Sequence, residues 1–203
     1  MIRFTICARP VGLGCVGSSY RGILGPDIEF YRKGNTVCIP GSSLKGALRS
    51  SAARIAEPYK FSSCGQVRPE KMQPCDVCEL FGFPNSLPNL MVSDLEPRAS
   101  PRTIMVTRVK LDDRSLKAEE GGLYTQEHAY ATEFTGEVIV LKPDQRLLGL
   151  LLLSVAELRL GRVGRDTLLD LKLENTEALE GKVDGQWMPL LNELKEWLWG
   201  REK

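Results

Sequence analysis

The sequence of 203 residues predicts a single α+β domain, residues 1–203, and three features carry this prediction. Short β-prone segments alternate with two long segments of helical type. Their order along the chain is strand, helix, strands, helix, strand, which is the order of the ferredoxin-like fold. Two stretches, at about 58–89 and 112–131, interrupt this order and are interpreted as insertions. A chain of this length is long enough to bury one sizeable core.

Extended segments frame the first part of the sequence. Residues 2–8 alternate apolar and polar side chains and predict a strand. A loop rich in glycine and serine, 11–25, leads to two extended segments, 28–31 and 36–39, whose connection through Gly34 favours a hairpin. We expect the loop to be functional or mobile, since unstructured connections of this length are uncommon in compact domains.

A first helix is expected directly after a Pro-Gly pair that ends the preceding extended segment. Apolar residues then recur at helical spacing, and Ser42 or Ser43 is suited to cap the helix. Lys45 and Arg49 stand four residues apart and therefore share one face. Together with free backbone N–H groups at the helix start, these side chains predict a binding site for a phosphate-like anion.

The second part of the sequence combines β-prone segments with a second long helix. Strands are predicted at 90–92, 104–111, 134–141 and 167–173. The stretch 112–131 is polar and contains glycine, and it is interpreted as a projecting loop. A buried helix is predicted at 144–160, because apolar residues cover most of its surface, and an amphipathic helix at 187–199.

The charge balance and the apolar stretches exclude some classes of protein. Lys and Arg total 27 against 26 Asp and Glu, so any binding of nucleic acid must use local basic patches. The longest apolar stretch, 147–156, is far shorter than the roughly 20 residues of a membrane span. The N-terminal residues do not form a secretion signal. We therefore expect a cytoplasmic protein with reduced cysteines and no membrane partner.

Three of the six cysteines follow a pattern typical of a metal site. Cys64, Cys75 and Cys78 are spaced as Cys-x10-Cys-x2-Cys, and the final pair is a tight chelating turn like those of structural zinc sites. The surrounding segment is rich in proline and poor in apolar residues, so a structural Zn²⁺ would hold it together. The fourth position stays open between the only histidine, His128, which we include in the predicted ligand set, and the remaining thiols Cys7, Cys15 and Cys38.

The string Pro-Gly-Ser-Ser-Leu-Lys-Gly-x-x-Arg at 40–49 closely resembles a signature of the RAMP superfamily, the repeat-associated RNA-binding proteins of CRISPR systems. The string Cys-x-x-Cys-x-Leu-Phe-Gly at 75–82 resembles a motif that recurs in these proteins after the first helix, often with zinc. Among them the chain looks most like the backbone subunits of type III effector complexes. The resemblance implies an RRM-like RAMP core with a zinc knuckle in the insertion at 58–89.

The same resemblance implies a catalytic role for Asp27. This residue precedes the string at 40–49 at the point where type III backbone subunits carry an aspartate that cleaves bound target RNA with a divalent metal. A carboxylate beside a phosphodiester can hold an ion such as Mg²⁺ that polarises the phosphate. The alternative is a structural role, since an aspartate after a proline is common in turns.

Two further segments resemble RAMP patterns. The stretch 109–134 is similar to a thumb-like element that folds over the guide RNA. Residues 161–165 stand where RAMP proteins place a glycine-rich loop, but the usual Ser-Arg-Gly-x-Gly continuation is replaced, so the loop is truncated. The residues expected to contact RNA are Ser42, Ser43, Lys45, Arg49, Arg108, Lys110, Arg114, Arg162 and Arg165.

Three functions remain open from the sequence. The first is a type III subunit that binds the guide crRNA, stacks against copies of itself and other effector subunits, and cleaves target RNA through Asp27. The second is the same scaffold without cleavage. The third is a stand-alone, metal-independent endoribonuclease that processes precursor CRISPR RNA, with His128 as its only histidine base. Related processing enzymes typically use a histidine in the N-terminal half, where this sequence has none.

Overall fold

The computed structural model describes residues 1–17, 25–66, 68–84, 86–164 and 167–199. The strands in these ranges are β1 (Ile2–Pro10), β2 (Arg32–Lys33), β3 (Thr36–Val37), β4 (Leu90–Val92), β5 (Glu96–Pro97), β6 (Arg102–Leu111), β7 (Ala118–Tyr130), β8 (Phe134–Val140), β9 (Arg162–Val163) and β10 (Thr167–Glu174). The α-helices are α1 (Gly41–Ile55), α2 (Asp76–Phe81), α3 (Gln145–Leu158), α4 (Glu177–Glu180) and α5 (Met188–Leu194). This mixture of helices and antiparallel strands confirms the predicted α+β class.

The main sheet is antiparallel, and its strands lie in the order β4-β8-β1-β10-β9, with β5 also paired to β8. β1 is central: Phe4 lies opposite Val138 of β8, and Ile6 lies opposite Leu173 of β10. These side chains alternate with polar ones because successive residues of a strand point to opposite faces. The apolar face of the sheet and the helices α1 and α3 form one hydrophobic core.

Helix α3 lies deep in this core, as its composition predicts. Ten of its 14 residues are buried, so it has no wide polar face. Asp144 caps the helix, since its Oδ1 atom accepts hydrogen bonds from the backbone N–H groups of Arg146 and Leu147 at 3.0 and 3.1 Å. No helix in the described ranges is long and apolar enough to cross a lipid bilayer.

The interpretation of 112–131 as a loop is wrong for most of its length. Only 112–117 turns, and β7 then runs to Tyr130 beside β6 in a two-stranded ribbon, separate from the main sheet. The strand lacks apolar alternation because much of the ribbon has no buried face. Gly122 fits a crowded position, where a Cβ atom would lie 2.8 Å from the carbonyl oxygen of Glu119.

The C-terminal segment also differs from the prediction of one helix over 187–199. Helix α5 ends at Leu194, and the chain then crosses β10, where Asp170 accepts hydrogen bonds from the backbone N–H groups of Leu198 and Trp199. Asp170 is fully buried, and the Arg159 guanidinium beside it donates to the carbonyl oxygens of Glu193 and Leu194 at the end of α5, both at 3.4 Å. These polar contacts end the helix early.

Candidate functional site

The start of α1 is not capped by a serine, in contrast to the prediction from the sequence. Neither Ser42 nor Ser43 caps the helix; Pro40 is the N-cap residue and makes no side-chain cap hydrogen bond. The N–H group of Gly41 instead donates to Oδ1 of Asp94 at 3.0 Å. A carboxylate at a helix N-terminus is stabilised by the helix dipole. Asp94 thus supplies the negative charge that the sequence analysis assigned to a phosphate at this point.

Two glycines of α1 lie in opposite surroundings. A Cβ atom on Gly41 would lie 2.3 Å from the carbonyl oxygen of Val92 and 2.5 Å from that of Ser93, so the helix can approach β4 only with glycine there. Among the described residues outside the backbone of α1 itself, a Cβ atom on Gly46 would have no neighbour within 4 Å. Glycine in a helix costs about 1 kcal/mol relative to alanine, and packing against these residues does not explain it at residue 46.

The exposed face around Gly46 carries the serines and one cation that the sequence analysis selected. Ser42 is exposed, and Ser43 and Lys45 are half-buried. Burial lowers the pKa of the Lys45 ammonium, and the positive charge of Arg49 lowers it further. An ammonium group held under these conditions is favoured to pair with an anion.

Arg49 is turned away from this face and toward the cysteines. Its guanidinium donates to the carbonyl oxygen of Gly82 at 2.5 Å, to Sγ of Cys78 at 3.1 Å and to Sδ of Met72 at 3.5 Å. The side chain therefore fixes the insertion to α1. Its expected contact with a phosphate would have to compete with these hydrogen bonds.

Cys64, Cys75 and Cys78 come together as the sequence predicts. Their Sγ atoms all lie within 4.8 Å of one another, and those of Cys64 and Cys78 are 3.5 Å apart. Sγ of Cys75 accepts hydrogen bonds from the backbone N–H groups of Cys64 at 3.3 Å and Cys78 at 3.4 Å. Three sulfur ligands in a compact turn could bind a metal ion, and this donor set suits zinc.

His128 does not join this group, so its inclusion in the ligand set is wrong for this arrangement. It lies on β7 opposite Ile104, is fully buried, and its Nε2 atom is 3.3 Å from Oε1 of Gln126. The ribbon carries it, whereas the cysteines belong to the insertion after α1. A histidine so deeply buried also lacks the access to solvent and substrate that a general base requires.

Asp27 lies at the base of the ribbon. Its Oδ2 atom accepts hydrogen bonds from the backbone N–H and hydroxyl groups of Thr125, at 2.7 and 3.1 Å. The next residue, Ile28, forms a β-bridge with Gln126. The side chain is exposed, but Asp27 belongs to neither group of three possible metal ligands in the described ranges. A metal ion at this carboxylate would take its other ligands from water or from bound RNA.

A second polar anchor ties the ribbon to the body, and the sequence analysis did not identify it. Buried Glu127 of β7 accepts a hydrogen bond from the backbone N–H of Phe30 at 3.1 Å and pairs with Arg32. Gly14 also pairs with Ala129 of β7 through two backbone hydrogen bonds of 2.8 and 3.0 Å. The base of the ribbon is therefore held on two sides.

The outer ribbon carries both the predicted cations and apolar side chains that the sequence analysis passed over. Arg108 is half-buried, Arg114 is exposed at the tip, and the ammonium of Lys110 pairs with Glu119 at 2.6 Å. Met105, Val109 and Leu123 share the other face by their register, and they are 56%, 48% and 69% exposed. The strand β6 was predicted from the sequence, so the alternation of its residues could have revealed that the cations and the apolar side chains lie on opposite faces.

The truncated glycine loop packs against the N-terminal loop. Arg162 is exposed on β9, and Gly164 has φ +70°, with its Cβ position 3.1 Å from the carbonyl oxygen of Cys15. The Thr167 hydroxyl accepts from the backbone N–H of Cys15 at 2.7 Å. Arg165 lies outside the described residues.

The comparison with protein families decides the relationship of the chain to known proteins. The sequence model of the RAMP superfamily matches residues 22–199 of the chain, which include α1, the insertion and the ribbon. The chain belongs to the RAMP superfamily. No curated protein matches it significantly. The match spans every predicted site residue of this RAMP protein, and it supports the resemblance found in the string at 40–49.

Proposed function

We propose that this RAMP protein is a CRISPR-associated subunit that binds the backbone of a guide crRNA. Its contact face comprises Ser42, Ser43, Lys45 and the surface of α1 around Gly46. Arg108, Lys110 and Arg114 of the ribbon and Arg162 of β9 extend this face; Arg165, beyond the described residues, belongs to the same proposal.

The open position of Gly46 carries the proposal. A glycine that no neighbour in the described ranges requires allows a ligand backbone to approach the helix closely. Lys45, one residue before it, is an ammonium with a lowered pKa, and two serine hydroxyls precede it. Phosphodiester oxygens accept hydrogen bonds from hydroxyl and ammonium groups and neutralise the charge. The near-neutral net charge of +1 is compatible with such a local site.

The finer assignment is a type III backbone subunit that stacks with copies of itself and other effector subunits and cleaves target RNA. The strand order of the main sheet supports the ferredoxin-like, RRM-like core expected for it. The compact cysteine cluster supports a structural zinc knuckle. The exposed carboxylate of Asp27 at the ribbon base supports cleavage with a divalent ion such as Mg²⁺, bound jointly with the RNA.

Binding to RNA at varied salt concentration tests the main proposal. Lys45→Ala should weaken binding of any single-stranded RNA and reduce the slope of log Kd against log salt concentration by about 0.7, the value for one lost phosphate contact. Lys182→Ala, which removes an exposed cation after α4, is the matched control. Equal affinity and slope in the two variants would refute the assigned face.

Two rival functions have separate tests. A scaffold without cleavage predicts that complexes assembled from the native chain and from the Asp27→Ala variant cut target RNA to the same extent. A stand-alone processing enzyme predicts that the purified protein cuts repeat RNA without metal and stops doing so in His128→Ala. The buried position of His128 argues against the second rival.

A further inference from the structure

An open cavity of about 650 Å³ lies between the segment after α1, the start of α3 and a short 3₁₀ helix, Gly185–Trp187, that precedes α5. Its volume falls within the range of about 300 to 1,000 Å³ that is usual for small-molecule sites. Tyr59, Phe61 and Trp187 line it. None of the lining residues belongs to α1, the ribbon or the cysteine cluster, so the cavity is separate from the RNA face proposed above.

Of the three aromatic side chains, Phe61 and Trp187 are packed against the core and Tyr59 is accessible to solvent. Trp187 packs against Gly149 of α3, where a Cβ atom would lie 2.3 Å from the indole Nε1 atom. Its ring centroid is 6.5 Å from that of buried Phe61 and 6.2 Å from that of Tyr59, at interplanar angles of 34° and 53°. Tyr59 is 50% exposed. A planar ligand can therefore stack on Tyr59 without displacing the other two rings.

The charges around the cavity select against a strongly charged ligand. Lys60 and Arg146 balance Asp144 and Asp184. Three of these four groups are already engaged: Arg146 pairs with Asp76 at 2.9 Å, and the two aspartates accept hydrogen bonds from backbone N–H groups of the turns that they cap. Lys60 forms no ion pair with the described residues. One ammonium group thus remains for one anionic substituent.

Two carboxamides complete the lining. The side chains of Gln145 and Gln186 make no hydrogen bond within the part of the chain that the structure describes, and both are exposed. Each offers two N–H donors and one carbonyl acceptor, the combination that pairs with the edge of a nucleobase. Unstacked bases are commonly recognised in this way, by an aromatic ring below and polar groups at the edge.

We propose that this cavity binds an unpaired nucleobase. The base stacks on Tyr59, Gln145 and Gln186 contact its edge, and Lys60 pairs with its phosphate. A basic peptide side chain could also lie on an aromatic ring, but it would leave the Lys60 ammonium without an anionic partner. The base can belong to a free nucleotide or to an RNA strand, and the two sources share this chemistry.

Binding of defined nucleotides to the full chain tests the proposal. The ligands are AMP, UMP and five-residue oligoadenylate and oligouridylate, the last also with a photoreactive 4-thiouridine. We expect the photoproduct to map to residues 55–60. Tyr59→Ala should weaken binding about tenfold, whereas Tyr59→Phe, which keeps the ring, should stay within about twofold of the native chain. Binding of the mononucleotides identifies a nucleotide site, and binding of the oligonucleotides alone identifies a strand contact.

The test of this cavity can be distinguished from the test of the proposed guide-binding face on α1. Lys45→Ala should leave the photoproduct at residues 55–60 unchanged even where it weakens RNA binding overall. Gln186→Ala, at an exposed residue, is a second variant and should also weaken binding of the same ligands. Equal affinity of Tyr59→Ala and the native chain, no binding of any of the four ligands at millimolar concentration, or preferential binding of tetralysine would each overturn the proposal.

Discussion

The guanidinium of Arg49 lies 3.1 Å from the Sγ atom of Cys78 and so joins α1 to the cysteine cluster. The carbonyl oxygen of Gly82 accepts from the same guanidinium. The residue four positions after Lys45 therefore points to the insertion, and the two cations that the sequence places on one helix face have different surroundings.

Arg49→Ala should lower the free energy of unfolding by about 1.5 to 3 kcal/mol, because charged hydrogen bonds to partly buried acceptors are lost. Arg49→Lys should recover little, since an ammonium group cannot reach the same three acceptors as a planar guanidinium. Urea denaturation measures both changes, with Lys45→Ala as the control of similar charge. Native stability of Arg49→Ala combined with reduced RNA affinity would assign Arg49 to phosphate binding instead.

Gly46→Ala should raise the free energy of unfolding by up to about 1 kcal/mol and yet weaken RNA binding. The added methyl group favours the helix but occupies the surface that a ligand backbone needs. Thermal unfolding and RNA fluorescence anisotropy measure the two effects on one variant. Gly41→Ala is the contrasting change: overlap with the carbonyl oxygens of Val92 and Ser93 should destabilise the protein by about 1 to 3 kcal/mol or more. Unchanged RNA affinity in Gly46→Ala would contradict the close approach.

Asp27→Asn should abolish cleavage of target RNA in the assembled complex while keeping the native stability. The carboxamide retains an acceptor for the Thr125 groups but lacks the charge that holds a divalent ion. Asp27→Ala should lose the anchoring hydrogen bonds as well. Cleavage assays and denaturation curves of the two variants separate chemistry from anchoring. Full cleavage by Asp27→Asn would leave the residue with a structural role only.

Purified protein should contain about one zinc ion per chain, and Cys75→Ser should remove most of it. The substitution takes away a ligand and also the sulfur that accepts two backbone hydrogen bonds. Elemental analysis measures the metal, and limited proteolysis of the 58–89 segment measures its order. Cys38→Ser, at a buried cysteine outside the cluster, is the control and should keep the metal. Equal zinc in both variants would exclude this site.

The stability of the protein should fall in acid partly through Glu174. Burial opposes its charged form, but hydrogen bonds from Lys172, Arg98 and Cys7 lower the pKa of Glu174 to about 2. The ordinary value of 4.5 in the unfolded chain is higher, so this contribution is fully present above about pH 4.5 and is lost as the pH falls toward 2.

Comparison with Glu174→Gln isolates this effect. The difference in unfolding free energy between the native chain and the variant should be largest near neutral pH and shrink between pH 4.5 and about 2. Glu133, which also pairs with Arg98 at 2.8 Å, remains in both proteins. A difference that stays constant down to about pH 2 would contradict the assignment to Glu174.

Local patterns in the sequence predicted the elements that bury an apolar face. β1 was found because apolar residues alternate along it, α3 because apolar residues cover most of its surface, and the cysteines because chelating turns have a short fixed spacing. β7 was missed, since a ribbon stabilised by pairing with β6 needs little apolar alternation. The partner of Gly41 was also missed, because Asp94 reaches the helix from 53 positions further along the chain.

The position of His128 illustrates the same limit. The only histidine attracts both a metal-ligand and a general-base interpretation, and nothing in its neighbours reveals burial, because the strand that carries it reads as polar. The clustering of Cys64, Cys75 and Cys78, by contrast, follows a local pattern and was predicted. A role that depends on contacts between distant segments of the chain can be assigned only from the structure.

The attachment of Asp27 to β7 has a mechanical consequence. β7 has 13 residues and extends roughly 40 Å at about 3.3 Å per residue, from the ribbon tip past Thr125 to the body. The hydrogen bonds at Thr125 make Asp27 move with the strand, so a load on the outer ribbon is transmitted to the carboxylate. In the cleavage reaction proposed for Asp27, a ribbon that has not seated on its ligand would hold the carboxylate out of line, so seating would govern where and when a bound strand is cut.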